Sequence, residues 1–332
     1  MDVMTDLLER SRAHGAAFAQ TTASGDWAMR FGGGTGLAVH VVVEGEVRLW
    51  TDERRAGPVR DTDGTGGEEL HLLAGDLVLV RGDLEHCMGR RRTEPRVTIE
   101  QLVAGGPVPG SARHYRLGTP DGPPDTRFFC GAYQFEGDLC AGLLRALPDT
   151  VRMRPAAGST LHASLELLAR ELERDDPGQQ ALLDRLLDVA LIQVLRDHLG
   201  DRPDDAPAWF RAEADPPVAQ ALRAMHADPA HAWTVDELAE EAALSRSAFA
   251  RRFAAALGEA PMAYLTGWRM ALARELLRDT DGGLAAVAAA VGYRSEFAFA
   301  AAFKRHHGVA PGRWRTSIAT GDSAHERVAA LR

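Results

Sequence analysis

A pattern of residues near the C-terminus occurs twice in this chain of 332 residues. In each copy a serine, two phenylalanines, a glycine and a proline follow one another at the same spacing. The five pairs, related by one constant offset, are Ser245 and Ser295, Phe249 and Phe299, Phe253 and Phe303, Gly258 and Gly308, and Pro261 and Pro311. A repeat of this kind predicts two equivalent structural modules.

Each copy predicts a helix-turn-helix. In the second copy Gly292 ends one helix, because glycine adopts the left-handed conformation without a steric penalty. Ser295 then caps the next helix by accepting from its free N–H groups. Phe299 and Phe303 are four residues apart and share the face that packs on a core, which leaves the opposite face for DNA. Between the copies, residues 261–279 predict one amphipathic helix.

Two helix-turn-helix units joined by a long helix, followed by Trp314-Arg315, resemble the DNA-binding domain of the AraC/XylS family of transcription regulators. The resemblance covers roughly residues 218–316. It implies binding of double-stranded promoter or operator DNA, with RNA polymerase as a further partner. Family members commonly act as activators, and the sequence itself leaves activation and repression open.

We expect the outward faces of the two recognition helices to contact DNA. Arg251 occupies the position from which the family directs a side chain at base edges, and arginine can bond both acceptors of a guanine. Glu296 could accept from a cytosine, but Ala300 and Ala301 lack hydrogen-bonding reach, so the first unit should supply most base-specific contacts. The alternative for each arginine is a solvated surface position. The predicted DNA-binding residues are Ser245, Arg246, Ser247, Arg251, Arg252, Arg294, Ser295, Glu296, Lys304 and Arg305.

The net charge of −9 becomes consistent with DNA binding once the two halves are separated. Residues 218–332 contain 14 basic and 12 acidic side chains, whereas residues 1–217 contain 24 basic and 35 acidic ones. This asymmetry predicts a DNA-facing C-terminal half and an acidic partner half. The three cysteines, the absence of a signal peptide and the absence of a long apolar segment predict a cytoplasmic protein without membrane association.

The first part of the chain predicts short strands. From residue 16 to about residue 135, alternating or continuous apolar runs are separated by glycine turns, including a hairpin at Glu44-Gly45. Residues 98–103 are among the predicted strands. The runs 40–47 and 73–80, followed by His86, resemble a cupin barrel, and more narrowly the cupin-type sensor domain that precedes the AraC-type module.

Two leucine-rich amphipathic helices are predicted after the strands, and each must bury its apolar face. They either pack on the barrel or form a dimer interface, and we expect a homodimer. The predicted fold class is α+β multidomain, with a cupin-like β-barrel and helical pair before an all-α double helix-turn-helix. The predicted domains are a sensor barrel at 1–158, a helical pair at 159–199, a linker at 200–217, a DNA-binding domain at 218–316 and a tail at 317–332.

A small-molecule effector is the expected input to the barrel. Mostly apolar walls with a few polar groups suit such a ligand, and the candidate contacts are Trp27, Arg30, His40, Trp50, Arg81 and His86. An alternative is a metal-dependent cupin enzyme fused to a DNA-binding module, for which His40, Glu44 and His86 could form a ligand triad. The expectation is instead a regulator without enzymatic activity, metal or cofactor, since the usual His-x-His pair is missing.

An oxidant is the other possible input. Cys87 lies beside His86 and shortly before Arg90, and positive charge favours the reactive thiolate. Cys130 lies in a predicted buried strand, where cysteine usually acts as a small hydrophobic residue. Cys87 and Cys130 are therefore redox candidates, with passive packing as the alternative.

Overall fold

The computed structural model describes residues 2–10, 13–14, 19–33, 36–51, 69–82, 84–106, 114–119, 122–135, 144, 147–174, 176–203 and 206–321. This part of the chain forms two compact units. The β-rich unit contains the described residues between 13 and 135 and between 144 and 202, and the helical unit contains those of 1–12 and those from 203 onward. The N-terminal helix therefore belongs to the helical unit, which corrects the predicted sensor domain of residues 1–158.

The described strands of the β-rich unit form two sheets. One sheet has the order β10-β2-β11-β4-β7-β12 with β1 paired to β11, and the other has the order β6-β5-β8-β3-β9. The strands are β1 (Ala13–His14), β2 (Ala19–Ser24), β3 (Ala28–Phe31), β4 (Leu37–Glu44), β5 (Glu46–Thr51), β6 (Glu69–Leu73), β7 (Leu77–Arg81), β8 (His86–Gly89), β9 (Val97–Thr98), β10 (His114–Gly118), β11 (Thr126–Phe135) and β12 (Thr150–Met153).

The predicted hairpin at Glu44-Gly45 joins β4 to β5. Gly45 has a φ of 76°, and a Cβ at this position would lie 2.3 Å from the carbonyl oxygen of Asp125. Both the left-handed backbone and the lack of space therefore require glycine here.

The core of the β-rich unit lies between its sheets. Val42 of β4, Leu49 of β5 and Phe128 of β11 are fully buried members of one apolar cluster. The other face of β11 is covered as well, since Tyr133 is buried there. Burial, together with the carboxylates of Asp188 and Asp184, raises the pKa of its hydroxyl. A helix thus packs on the outer face of this sheet.

The described residues of the β-rich unit also form the helices α2 (Ile99–Ala104), α3 (Thr160–Leu172) and α4 (Gln179–Asp201). The prediction of a strand at 98–103 is wrong. Thr98 accepts from the backbone N–H of Gln101, whose side chain accepts from the backbone N–H of Thr98. This capping box starts a helix where the apolar pattern alone suggested a strand.

The helical unit consists of α1 (Val3–Arg10), α5 (Ala208–Ala212), α6 (Pro216–Ala227), α7 (Val235–Glu241), α8 (Arg246–Leu257), α9 (Pro261–Asp279), α10 (Leu284–Ala290), α11 (Glu296–His307) and α12 (Pro311–Gly321). The predicted linker at 200–217 needs correction, because α4 extends to Asp201 and α5 lies within it. The predicted tail at 317–332 begins inside α12, and residues 322–332 lie outside the described residues. Among the helices described, none has the length and apolar character needed to span a membrane.

A buried polar group fastens α1 to the rest of the helical unit. Asp6 and His226 are both fully buried. The Nδ1 of His226 donates to a carboxylate oxygen of Asp6 at 2.7 Å, and its Nε2 lies 2.8 Å from the hydroxyl oxygen of Tyr264. Trp268 stacks on the His226 ring with centroids 4.2 Å apart. Because a buried carboxylate requires hydrogen-bonding partners, this arrangement makes α1 part of the helical core.

Candidate nucleic-acid interface and the β-rich core

The first helix-turn-helix consists of α7 and α8. Thr234 caps α7 in a capping box with Glu237, and Ser245 caps α8 by accepting from the backbone N–H of Ala248 at 3.4 Å. Phe249 and Phe253 are fully buried on the inner face of α8. The capping residues and the apolar pair therefore place α8, the first recognition helix, with its other face outward.

The second helix-turn-helix, α10 and α11, has the same design. Ser295 accepts from the backbone N–H of Ala298 at 3.2 Å, and Phe299 and Phe303 are fully buried. Between the two units runs α9, the predicted amphipathic helix, whose Leu265 and Trp268 are buried. The core-facing pattern of the repeat thus gives two equivalent scaffolds, and α11 is the second recognition helix.

The turns of the two units differ by one residue. In the first unit the backbone N–H of Leu244 donates to the carbonyl oxygen of Ala239 at 2.9 Å, and the next residue is the capping Ser245. In the second unit the equivalent N–H of Tyr293 donates to Ala288 at 2.8 Å, and Arg294 is inserted before the capping serine. The constant offset relates the recognition helices α8 and α11, but it does not relate α7 to α10. Comparing the two copies of the repeat at this one offset therefore missed the insertion.

The left-handed residue also differs between the turns. It is Gly292 in the second unit, with a φ of 78°, and Ala243 in the first, with a φ of 53°. A Cβ at Gly292 would lie 2.7 Å from the carbonyl oxygen of Ala230 and 2.8 Å from Nη2 of Arg269. Only the second turn therefore requires glycine on both conformational and steric grounds, while the first turn carries backbone strain.

The first recognition helix carries three arginines, which differ in whether they form an ion pair. Arg246 pairs with Asp236 at 3.0 Å, and Arg252 pairs with Asp215 at 2.7 Å. Arg251 is exposed and has no ion pair or hydrogen bond among the residues described. The pair of Arg246 is exposed, and that of Arg252 lies at the surface with Asp215 half-buried. Ion pairs at the surface contribute only about 0–1 kcal/mol, so phosphates can displace both carboxylates at small cost.

The second recognition helix presents a different surface. Glu296, Phe297, Ala298 and Ala301 are exposed along it. The predicted cationic residues Arg294, Lys304 and Arg305 are exposed near its two ends. Phe297 is absent from the predicted contacts, although its position on the face opposite the buried phenylalanines marks it as an outward aromatic residue.

The two histidines of the β-rich unit form a buried hydrogen-bond chain with Cys130. His40 Nδ1 lies 2.9 Å from Cys130 Sγ, and its Nε2 lies 2.7 Å from Nε2 of His86. His86 Nδ1 lies 3.2 Å from the carbonyl oxygen of Leu84, which can only accept. His86 therefore carries its proton on Nδ1 and accepts from His40, so the Cys130 thiol must donate to His40.

The hydrogen-bonded group of Cys130, His40 and His86 is uncharged at neutral pH. Burial lowers the pKa of His86 to about 4 and lowers the pKa of His40 well below its ordinary value. Burial also raises the pKa of the Cys130 thiol. Since the thiolate is the reactive form of cysteine, the geometry disfavours oxidation at Cys130. Cys87 is also buried, in a separate small cluster with Ala28 and Trp50.

The arrangement does not match the metal triad considered from the sequence. His40 directs Nδ1 at Cys130 and Nε2 at Nε2 of His86, so neither of its ring nitrogens faces Glu44. Glu44 is exposed at the hairpin, and its carboxylate pairs with Arg127 at 2.5 Å. The described residues contain no group of three or more His, Cys, Asp or Glu that could hold a metal ion.

The predicted effector contacts are not brought together in one place. His40 and His86 lie against Phe31 in the core. Trp27 stacks on Phe128 with centroids 5.1 Å apart. The other three lie elsewhere: Trp50 in the separate cluster, Arg81 in an ion pair with Asp149, and Arg30 half-buried on β3.

Known protein families match parts of both the β-rich unit and the helical unit. Residues 2–200 match a cupin family, and residues 238–317 match a helix-turn-helix domain family. The chain is 34% identical over 325 residues to a putative AraC-like transcription regulator of Streptomyces antibioticus, covering 95% of this chain and 98% of the relative. A putative AraC-like transcription regulator of Streptomyces lividans is 33% identical over 320 residues, with coverage of 95% and 98%. The HTH-type transcriptional regulator AlkR of Acinetobacter baylyi is 27% identical over 320 residues, with coverage of 95% and 99%.

Proposed function

Because the chain belongs to the AraC family of DNA-binding transcription regulators, we propose that it binds one operator through both recognition helices, under the control of its cupin domain. The observation that carries this proposal is the pair of serine-capped, outward-facing helices α8 and α11. Recognition helices of this kind enter the DNA major groove.

The residues divide between base contacts and phosphate contacts. Arg251 is exposed without a partner among the described residues, which supports a bidentate contact to guanine. Glu296 is the candidate acceptor for a cytosine amino group. The remaining predicted residues position the protein on the phosphates, through cations or through the N-terminal turns of the helices: Ser245, Arg246, Ser247, Arg252, Arg294, Ser295, Lys304 and Arg305.

We further propose that the chain forms a homodimer through α3 and α4. Their inner faces are buried, so the amphipathic pattern is partly satisfied by packing within the unit. Three large apolar side chains nevertheless stay exposed on this pair: Leu167 at 50%, Leu182 at 47% and Val189 at 42%. Several large apolar side chains exposed on one pair of helices are the observation that supports self-association there. Sedimentation of wild type and of Leu182→Glu tests it, since a dimer that persists unchanged in the variant contradicts this interface.

The input that best fits the β-rich unit is a small molecule rather than an oxidant. Both described cysteines are buried, and the Cys130 thiol is held protonated by its surroundings. Arg30 and Arg81 remain predicted effector contacts. The same hydrogen-bond chain supports a regulator without enzymatic activity, since it occupies both histidines that a metal centre would use. Metal analysis of purified protein tests this point.

The experiment that tests the function is binding of the full-length protein to DNA from its own upstream region. A fluorescent duplex is titrated across a salt series, with unrelated DNA as competitor. Specific binding that weakens steeply as salt rises is expected, because several phosphate contacts release counterions. Equal affinity for operator and competitor, with and without candidate effectors, contradicts the proposal. Transcription from the same region in the presence of RNA polymerase then distinguishes activation from repression.

A further inference from the structure

Phe297 is the most exposed large apolar side chain among the described residues, at 80%. An isolated exposed apolar residue is common and does not by itself indicate a site. Phe297, however, lies in the first turn of the second recognition helix, two residues after the Ser295 cap. In the proposed function this turn enters the major groove.

The residues around Phe297 make the same surface apolar. Ala301 lies four residues later on the same helix face, and Ala298 is exposed beside it. Neither alanine can hydrogen-bond to a base, and both are short enough to let the helix approach the groove floor. The equivalent surface of the first recognition helix carries Ser247 and Arg251 in place of Phe297 and Ala301.

Cationic residues lie at both ends of this apolar surface, and the acidic Glu296 is exposed beside Phe297. Arg294 precedes the helix, and Lys304 and Arg305 lie in its last turns, all exposed. Such a border fits the phosphates on either side of a groove and favours DNA over an apolar protein surface as the occupant. Within the major groove, the apolar group that base edges offer is the C5 methyl of thymine.

We propose that Phe297 is a specificity-determining residue that contacts the C5 methyl group of thymine in the second half of the operator. The first recognition helix then selects bases by hydrogen bonds, whereas the second adds an apolar contact to the hydrogen bond proposed for Glu296. This inference rests on the proposed DNA-binding function and deepens it.

The test replaces single thymines of the bound duplex by deoxyuridine, which removes the methyl group and keeps every hydrogen-bonding atom. Full-length wild type should lose about 3- to 5-fold in affinity at one or two thymines, the value of one buried methyl group. Phe297→Ala should bind the unmodified duplex more weakly and show no thymine preference at those positions. Ser247→Ala, the matched change in the first unit, should keep that preference. Because Phe297 is exposed, its variant should unfold at the wild-type temperature.

Each outcome decides the proposal. Equal binding of thymine and deoxyuridine duplexes by wild type overturns it, as does a thymine preference that survives in Phe297→Ala. Normal binding and discrimination by Phe297→Ala, combined with a loss of transcription, assigns the residue to a protein partner instead. Failure of wild type to prefer the operator over competitor DNA is a different result, which overturns the proposed function and this inference with it.

Discussion

The two helix-turn-helix units share a scaffold but present different chemistry. Their buried phenylalanines, capping serines and terminal glycines superimpose in sequence at one offset. Their outward positions differ, with Arg251 in the first unit and Ala301 in the second. The residues that pack each recognition helix on its core and the residues proposed to contact DNA therefore lie on opposite faces of the same helix. The packing residues can be repeated in the second copy while the DNA-facing residues change.

The turns show a second difference between the units. The second turn has Gly292 and one additional residue, whereas the first uses Ala243 in a left-handed conformation. The conformational requirement is the same in both turns, but only one has the residue that meets it without strain. Replacing Gly292 by alanine should therefore lower the stability of the helical unit, and replacing Ala243 by glycine should raise it.

The largest effect is expected for Gly292→Ala. The added Cβ imposes about 1–2 kcal/mol of left-handed strain and about 1–3 kcal/mol of overpacking against Ala230 and Arg269. Gly308→Ala is the matched control, since its φ is 79° and a Cβ there meets no atom within 4 Å. Urea denaturation should show the larger loss of unfolding free energy for Gly292→Ala. Equal losses would contradict the steric part of this account.

Arg251→Ala should weaken operator binding by about 1–3 kcal/mol, because a bidentate contact to guanine is lost. Affinity for competitor DNA should fall far less. Glu296→Ala is the comparison in the second unit and should have a smaller effect. Unchanged operator preference in Arg251→Ala, together with loss of preference in Glu296→Ala, would reverse the assigned roles of the two units.

Ala243→Gly should stabilise the helical unit. It relieves about 1–2 kcal/mol of left-handed strain, offset by about 0.5–1 kcal/mol from the greater freedom of glycine in the unfolded chain. The net gain of several tenths of a kcal/mol should appear as a raised denaturation midpoint. A lowered midpoint would mean that the first turn is not strained.

The smallest effect is expected for Asp215→Asn. Asparagine still caps α6, but it releases Arg252 from an ion pair at 2.7 Å. Affinity for every DNA sequence should rise by a few tenths of a kcal/mol, within the range of an ion pair near the surface. Arg252→Gln should instead reduce the slope of log affinity against log salt by about one. An unchanged slope would remove Arg252 from the phosphate contacts.

The scaffold was predictable from the sequence because caps and apolar spacing act locally. Ser295 and Phe299 mark the second recognition helix without any knowledge of tertiary structure. The strand predicted at 98–103 was wrong, since the Thr98 capping box competed with an ambiguous apolar run. The position of α1 was also unpredictable, because the contact between Asp6 and His226 joins residues that are 220 positions apart in the sequence.

The candidate sites were predictable to different degrees. Helical periodicity identified the outward arginines, but their pairing with Asp215 and Asp236 depends on tertiary contacts. Strand alternation could not show that His40 binds Cys130 and His86 through different ring nitrogens. That geometry depends on the register between β4 and β11, which pairs His40 with Cys130, and on the packing of the second sheet, which carries His86 on β8. The sequence specifies neither.

The most direct test of the division between the two units is selection of preferred sequences from a randomised DNA pool. Full-length wild type, Arg251→Ala and Phe297→Ala are compared, and the bound DNA is sequenced. Arg251→Ala should lose a guanine preference in one part of the operator and keep a thymine preference in the other, and Phe297→Ala should show the reverse. Loss of preference at the same positions in both variants would contradict the claim that the two units recognise different bases by different chemistry.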